Sequence, residues 1–111
     1  MEMTPGEFFS ELVNCKADYI LENRNIIELD TVFIIMKNVT NLCDIILESK
    51  RRGFFEEKDY QYLSKQITKK LEELVDNAHL FSNDRQKIYI NLQKNLDTWI
   101  RQRDMLSKEA Q

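Results

Sequence analysis

The chain has 111 residues, of which 42% are hydrophobic and 32% charged, with two glycines, one proline and a formal net charge of −3. This length suits one domain with one modest core, and the scarcity of Gly and Pro disfavours a β-sandwich or barrel with many tight turns. The acidic balance argues against a general nucleic-acid binder, because such binding depends on cationic contacts to phosphate. Gly6 and Gly53 lie too far apart for a phosphate-binding loop, so no cofactor is predicted.

The first helix has a complete start signal. Thr4-Pro5-Gly6-Glu7 matches a capping box, in which Thr4 and Glu7 exchange side-chain-to-backbone hydrogen bonds. Pro5 suits the first helical position, where its missing N–H costs nothing. Apolar side chains then recur at steps of three and four residues, at Phe8, Phe9, Leu12, Val13, Cys15, Tyr19 and Ile20. The pattern predicts a helix over residues 5–23 with these side chains in the core.

The second helix has the strongest periodicity. An a/d seam of three heptads comprises Leu29, Val32, Met36, Val39, Cys43 and Ile46. Thr31–Met36 is also rich in strand formers, but the seam continues beyond it and favours a helix. Asn25 or Asp30 is predicted to cap its start, and Gly53 suits the left-handed position that follows a last helical turn. We therefore predict a helix over residues 26–52.

Two further amphipathic helices are predicted over residues 56–79 and 83–106. The apolar stripe of the third comprises Tyr60, Leu63, Ile67, Leu71, Leu74, Val75 and Ala78. The fourth is capped by Ser82 or Asp84. Its stripe comprises Ile88, Tyr89, Leu92, Leu96, Trp99, Ile100 and Leu106. Four such helices with short links most simply form an all-α, single-domain, antiparallel four-helix bundle over residues 1–111.

Few residues could support catalysis or bind a metal ion. The spacing of Glu72, Asp76 and His79 puts them on one face of a continuous helix, but an exposed helix end explains them as well, so no metal site is predicted. Cys15 and Cys43 lie on apolar faces, which indicates buried, inert thiols rather than a nucleophile beside His79. We therefore expect no catalytic residues and no enzymatic activity.

Cations and aromatic residues cluster at the predicted link between helices 2 and 3. This basic pole comprises Lys50, Arg51, Arg52, Phe54 and Phe55, together with Arg101 and Arg103, which an up-and-down bundle would bring to the same end. The pole could bind an acidic protein surface with a Phe as an anchor, or contact the phosphates of a nucleic acid. A purely structural explanation also exists, because cations complement the end of a helix and Phe side chains can close a core.

Helix 2 carries more apolar residues than its seam requires. A second apolar face comprises Ile34, Ile35, Leu42 and Ile45. Asn38 and Asn41 interrupt this face. Either helix 2 lies at the centre of an irregular bundle, or the second face contacts another chain, because exposed apolar patches usually mark contacts.

These patterns favour a non-catalytic, intracellular protein-binding module, such as a small adaptor, chaperone or inhibitor. The expected partner is another protein, with a homodimer as the alternative. A regulator that binds nucleic acid through the basic pole is the alternative function. The acidic N-terminus and the lack of a long apolar stretch predict no export signal and no membrane span, so a cytoplasmic location is expected. Frequent Ile, Asn and Lys are typical of A/T-rich genomes, including those of some phages and viruses.

Overall fold

The four predicted helices are all present in a computed structural model, which describes residues 2–109. Met1, Ala110 and Gln111 of the predicted domain lie outside the described residues. The helices are α1 (Pro5–Glu22), α2 (Leu29–Arg51), α3 (Glu57–Asp76) and α4 (Arg85–Glu109), with a 3₁₀ turn at Ala78–Leu80. Together they form a compact all-α domain, as the sequence predicts.

Each helix runs antiparallel to the next along the chain, and the bundle is closed by contacts of α1 with α3 and of α2 with α4. The hydroxyl of Thr4 donates to Asp59 at 2.7 Å at one end of the α1–α3 contact. The hydroxyl of Thr40 donates to Asn95 at 2.8 Å between α2 and α4. Because α1 also packs on α2 and α3 on α4, α2 and α3 occupy opposite corners. The link between them therefore crosses one end of the bundle.

The core side of α1 consists mainly of small residues. Its buried positions are Gly6, Ser10, Val13, Ala17 and Ile20. The predicted capping box is present, with Thr4 and Glu7 exchanging two hydrogen bonds of 3.1 Å. Phe8, Cys15 and Tyr19 are exposed, so the prediction that they belong to the core is wrong. The small residues face α3 and permit a close approach, whereas the larger ones project to the outside.

The seam of α2 is confirmed, because Val32, Met36, Val39, Cys43 and Ile46 are all buried. The helix begins at Leu29, three residues later than predicted. The carbonyl of Asn23 accepts the N–H groups of Ile26 and Ile27, which form a turn before the helix and bury Ile27. Glu28 occupies the N-cap position without a side-chain hydrogen bond, so neither Asn25 nor Asp30 is the cap.

The end of α2 matches the prediction for Gly53, whose φ is +78°. The N–H of Gly53 donates to the carbonyl of Lys50, and the N–H of Phe54 donates to that of Ser49, each at 3.0 Å. These two bonds make a Schellman motif, which satisfies the last carbonyls of the helix and turns the chain. The turn directs Phe55 into the core.

The link between α3 and α4 begins earlier than predicted. Since α3 ends at Asp76 and His79 lies in the 3₁₀ turn, Glu72, Asp76 and His79 do not share a continuous helical face. Asp84, with a φ of +47°, directly precedes α4, which begins at Arg85. Most of the predicted core stripes are buried, at Tyr60, Leu63, Ile67, Leu71, Leu74, Ala78, Ile88, Leu92, Leu96, Trp99 and Leu106.

No helix within residues 2–109 combines the length and the apolar character that a membrane span needs.

Candidate functional site

The link between α2 and α3 lies at the same end of the bundle as the start of α1 and the end of α4. At this end, the Thr4 hydroxyl reaches Asp59 at the start of α3. The guanidinium of Arg51 lies 3.3 Å from the carboxylate of Glu109. The basic pole is therefore surrounded by the ends of all four helices.

The cations at the end of α2 are paired with acidic side chains. Lys50 bonds Glu57, and Arg51 and Arg52 both bond Glu48, at 2.7 and 2.9 Å. Hydrogen bonds from Arg52 and Arg51 hold the pKa of the Glu48 carboxyl below its ordinary value. The hydrogen bond from Lys50 likewise lowers the pKa of Glu57. These contacts neutralise much of the positive charge that the sequence suggested for this pole.

The arginines of α4 lie on different sides of that helix, so they do not both join the α2 cations in one patch. Arg103 turns toward α3, where it donates to the Thr68 hydroxyl at 3.0 Å and bonds Asp104. Arg101 is exposed on another side of α4, in a shallow depression that Asp97 also lines. The two arginines diverge because residues two apart on a helix point about 200° away from each other.

The two phenylalanines of the link have separate roles. Phe55 is buried between α1 and α3, with its ring 6.1 Å from the rings of both Phe9 and Tyr60. Phe54 is 67% exposed, although it is adjacent in the chain. Phe55 thus closes the core, and Phe54 is left free for an external contact.

The second apolar face of α2 likewise contains both half-buried and exposed residues. Ile35 and Leu42 are half-buried against the core, so they have an intramolecular role. Ile34 is 64% exposed and Ile45 is 51% exposed. Burial within an irregular bundle, one of the two explanations that the sequence allowed, therefore does not apply to Ile34 and Ile45.

The contacts of α2 define which of its sides faces α1. Thr40 faces α4, and Leu42 lies on the opposite side of the buried seam, toward α1. Ile34 and Ile45 follow Leu42 around the helix to the outside. The exposed isoleucines of α2 therefore lie on the side of the bundle that α1 and α2 share.

The same geometry holds for α1. Asp18 bonds Lys70 of α3 at 2.9 Å, which places Leu12 on the opposite side of α1, toward α2. Phe8 and Tyr19 lie next to Leu12 around the helix and are 51% and 52% exposed. Exposed apolar side chains of two packed helices thus lie on one side of the bundle. We call them the α1–α2 face, which comprises Phe8, Tyr19, Ile34, Ile45 and Phe54.

Acidic side chains border this face on both sides. On α2, Ile45 and Phe54 line a shallow depression whose other walls include Asp44 and the ion pair of Glu48 with Arg52. On α1, Tyr19 lines a second depression, whose acidic walls are Glu11, Asp18 and Glu22. Within residues 2–109, Glu11, Glu22 and Asp44 form no ion pair. The face therefore combines exposed apolar side chains, interrupted on α2 by Asn38 and Asn41, with carboxylates along its edges that are unpaired in the described residues.

The cysteines and the possible metal ligands do not form a reactive site in the described residues. Burial, together with the charge of Asp44, raises the pKa of the Cys43 thiol to about 12, so it is a poor nucleophile. Cys15 is exposed, in contrast to the prediction of a buried thiol. In residues 2–109, no three His, Cys, Asp or Glu side chains converge as they would around a metal ion.

Sequence reasoning identified three of the five residues of the α1–α2 face, at Ile34, Ile45 and Phe54. It missed Phe8 and Tyr19, which it assigned to the core. The signal for them was the competing stripe of small residues that begins with Gly6 and Ser10, because two stripes on one helix cannot both face the same core. Comparison of the chain with protein-family models, curated proteins and solved structures finds no significant match.

Proposed function

We propose that this protein is a non-catalytic, intracellular protein-binding module, of the adaptor, chaperone or inhibitor kind, that docks through the α1–α2 face. One observation carries the proposal: large apolar side chains of two neighbouring helices are half or more exposed on the same side of the bundle. Exposed apolar side chains that gather on one side of a soluble protein often mark an interaction site.

The buried core does not include these side chains. The core is already closed by the seam of α2 and by Phe55, and Ile34 and Ile45 lie outside it. Exposed Ile and Phe gain free energy only when a partner covers them, at about 25 cal/mol per Å² of buried apolar area. Aromatic side chains such as Phe54 and Tyr19 are also frequent anchors at protein interfaces.

A protein partner receives more support than a nucleic acid. The α2 cations of the basic pole already form ion pairs with acidic side chains. Lys50 pairs with Glu57, and Arg51 and Arg52 pair with Glu48. A phosphate backbone would have to displace those acids before it gained contacts. The basic pole is therefore the weaker candidate surface.

The proposal is tested by capturing partners from a lysate of the native host, with and without nuclease, and identifying them by mass spectrometry. Three baits are compared: the wild-type chain, the test variant Ile45→Asp, and the matched control Ile90→Asp. Ile90 is 57% exposed but belongs to α4, away from the α1–α2 face. A stoichiometric protein that survives nuclease is expected with the wild type and the control, and is expected to be lost with Ile45→Asp.

Two results would contradict the proposal. Capture that is equal for Ile45→Asp and the wild type would mean that partners bind elsewhere. Partners that disappear with nuclease would instead favour a nucleic-acid regulator acting through the basic pole. Light scattering of the purified chain tests the homodimer, whose loss in Ile45→Asp alone would identify a second copy as the partner.

A further inference from the structure

We infer that the segment that docks on the α1–α2 face is a basic amphipathic helix. The inference rests on the proposed function and adds the chemistry of the partner. It combines two properties of the face, its exposed apolar side chains along a pair of packed helices and the carboxylates at its edges that are unpaired within the described chain.

The shape of the face favours a helix. Ile34 and Ile45 are eleven positions apart in α2, which corresponds to about 16 Å, or three helical turns, at 1.5 Å per residue. The antiparallel pair α1–α2 leaves its outer side chains in two rows, with half-buried Leu12 and Leu42 between them. An amphipathic helix fills such a surface with apolar residues at positions i, i+3 or i+4, and i+7.

The charge around the face favours a basic partner. Residues 5–51, which span α1 and α2, contain five basic and eight acidic side chains, a net charge of −3. Glu11 and Glu22 lie on the α1 edge and Asp44 on the α2 edge, without ion pairs in the described chain. Lys37 on α2 and Arg52 at its C-cap are exposed cations, of which Arg52 is already paired with Glu48. Lys16 lies one turn after Leu12 on α1. Lys or Arg side chains flanking the apolar stripe of a partner helix would complement these carboxylates.

The same charges disfavour a second copy of this chain as the occupant. A two-fold dimer places the same patch of both subunits in contact. Here it would bring the acidic edges of one α1–α2 face against those of the other, and like charges at an interface cost binding energy.

The test uses two synthetic amphipathic peptides of about 18 residues, which is roughly five helical turns. They share one Leu stripe, and every flanking position is Lys in the first peptide and Glu in the second. Affinity for the wild-type chain is measured by fluorescence anisotropy, and the binding site is located by amide chemical shifts. We expect the Lys peptide to bind at least about tenfold more tightly, with the largest shifts in α1 and α2.

Charge reversal then tests the edges directly. The double variant Glu11→Lys, Asp44→Lys is expected to lower the affinity for the Lys peptide about tenfold. The control is Glu72→Lys, Asp97→Lys, which reverses two exposed acids of α3 and α4 and is expected to leave that affinity unchanged. Far-UV circular dichroism and the melting temperature confirm that each variant is folded.

Equal affinity for the two peptides, no binding of either, shifts centred on α3 and α4, or unchanged binding by the Glu11→Lys, Asp44→Lys variant would overturn this inference. None of those results affects the proposed function if Ile45→Asp still abolishes capture of a partner. Conversely, capture that does not depend on Ile45 removes the proposed function itself. The two failures can therefore be distinguished.

Discussion

The backbone N–H of Gly6 donates to Asp59 Oδ2 at 2.8 Å, so a side chain of α3 caps the first turn of α1. The other carboxylate oxygen of Asp59 accepts from the Thr4 hydroxyl at 2.7 Å. Amides in the first turn of a helix have no intrahelical acceptor, and a negative charge is favourable there. Asp59 thus joins the start of α1 to the start of α3 and determines how closely the two helices approach.

This contact predicts that Gly6→Ala destabilises the fold. An added Cβ would lie 2.3 Å from Asp59 Oδ1 and 2.8 Å from its backbone carbonyl oxygen, so α3 must move or the cap must break. Overpacking of this kind costs about 1–3 kcal/mol, and the better helix propensity of Ala offsets up to about 1 kcal/mol. We expect the free energy of unfolding in urea to fall by about 1–2 kcal/mol. Glu11→Ala, on the exposed side of α1, is the control, and an unchanged value for Gly6→Ala would contradict the contact.

Gly53→Ala should also destabilise, but for a conformational reason. No atom lies within 4 Å of the added Cβ, and the φ of +78° is the only obstacle. The left-handed conformation costs an L-residue about 1–2 kcal/mol, and less for Asn, whose side chain tolerates it. In denaturant unfolding, the wild type should therefore be the most stable, Gly53→Asn less stable and Gly53→Ala the least stable. Equal stability of the Asn and Ala variants would contradict this explanation.

The sequence predicted α2 well and α1 less well, for one physical reason. In α2, the seam from Val32 to Ile46 is both the most regular stripe and the buried one, so its periodicity locates the core. In α1, the large apolar side chains such as Phe8 form one stripe and the small residues beginning at Gly6 form another. The small stripe is the inner one because α3 packs closely against it, as at Gly6 and Asp59, and periodicity carries no information about that distance.

Charge pairing was equally invisible in the sequence. The run Lys50-Arg51-Arg52 suggested a positive patch, but its neutralisation depends on Glu109, which is distant in the chain, and on the rotamers that direct Arg51 and Arg52 to Glu48. The composition of a surface can be read from the chain, whereas its net local charge depends on which helices meet at that end.

The two thiols should differ strongly in reactivity. Cys15 is exposed, and Cys43 is buried with a pKa raised to about 12. At pH 8, the thiolate fraction of Cys43 is then about one in ten thousand, so it reacts very slowly. Iodoacetamide should label one thiol per folded chain, and peptide mapping should identify it as Cys15. Cys15→Ser should abolish rapid labelling, whereas fast labelling of Cys43 in the folded chain would contradict its burial.

Thr68 should be required for the environment of Trp99, the single tryptophan of the chain. The Thr68 hydroxyl accepts hydrogen bonds from the indole N–H of Trp99 at 2.9 Å and from Arg103 at 3.0 Å. It donates one to the carbonyl of Ser64 at 2.8 Å. Thr68→Val keeps the shape but leaves a buried indole N–H without its acceptor, which costs about 1–3 kcal/mol. We expect a lower urea midpoint and a shifted fluorescence maximum. Thr68→Ser retains the hydroxyl, so a loss as large as that of Thr68→Val would contradict this role.

The exposed isoleucines of α2 should contribute little to folding. Ile34→Ser and Ile45→Ser replace side chains that are already half or more exposed, and Ser has a helix propensity close to that of Ile. We expect each to change the free energy of unfolding by less than about 0.5 kcal/mol. Met36→Ala, at a seam position only 1% exposed, should lose about 2–5 kcal/mol because it leaves a cavity. A loss of unfolding free energy in Ile34→Ser or Ile45→Ser as large as that in Met36→Ala would mean that these side chains stabilise the fold. That result would contradict the assignment of the α1–α2 face as a docking surface.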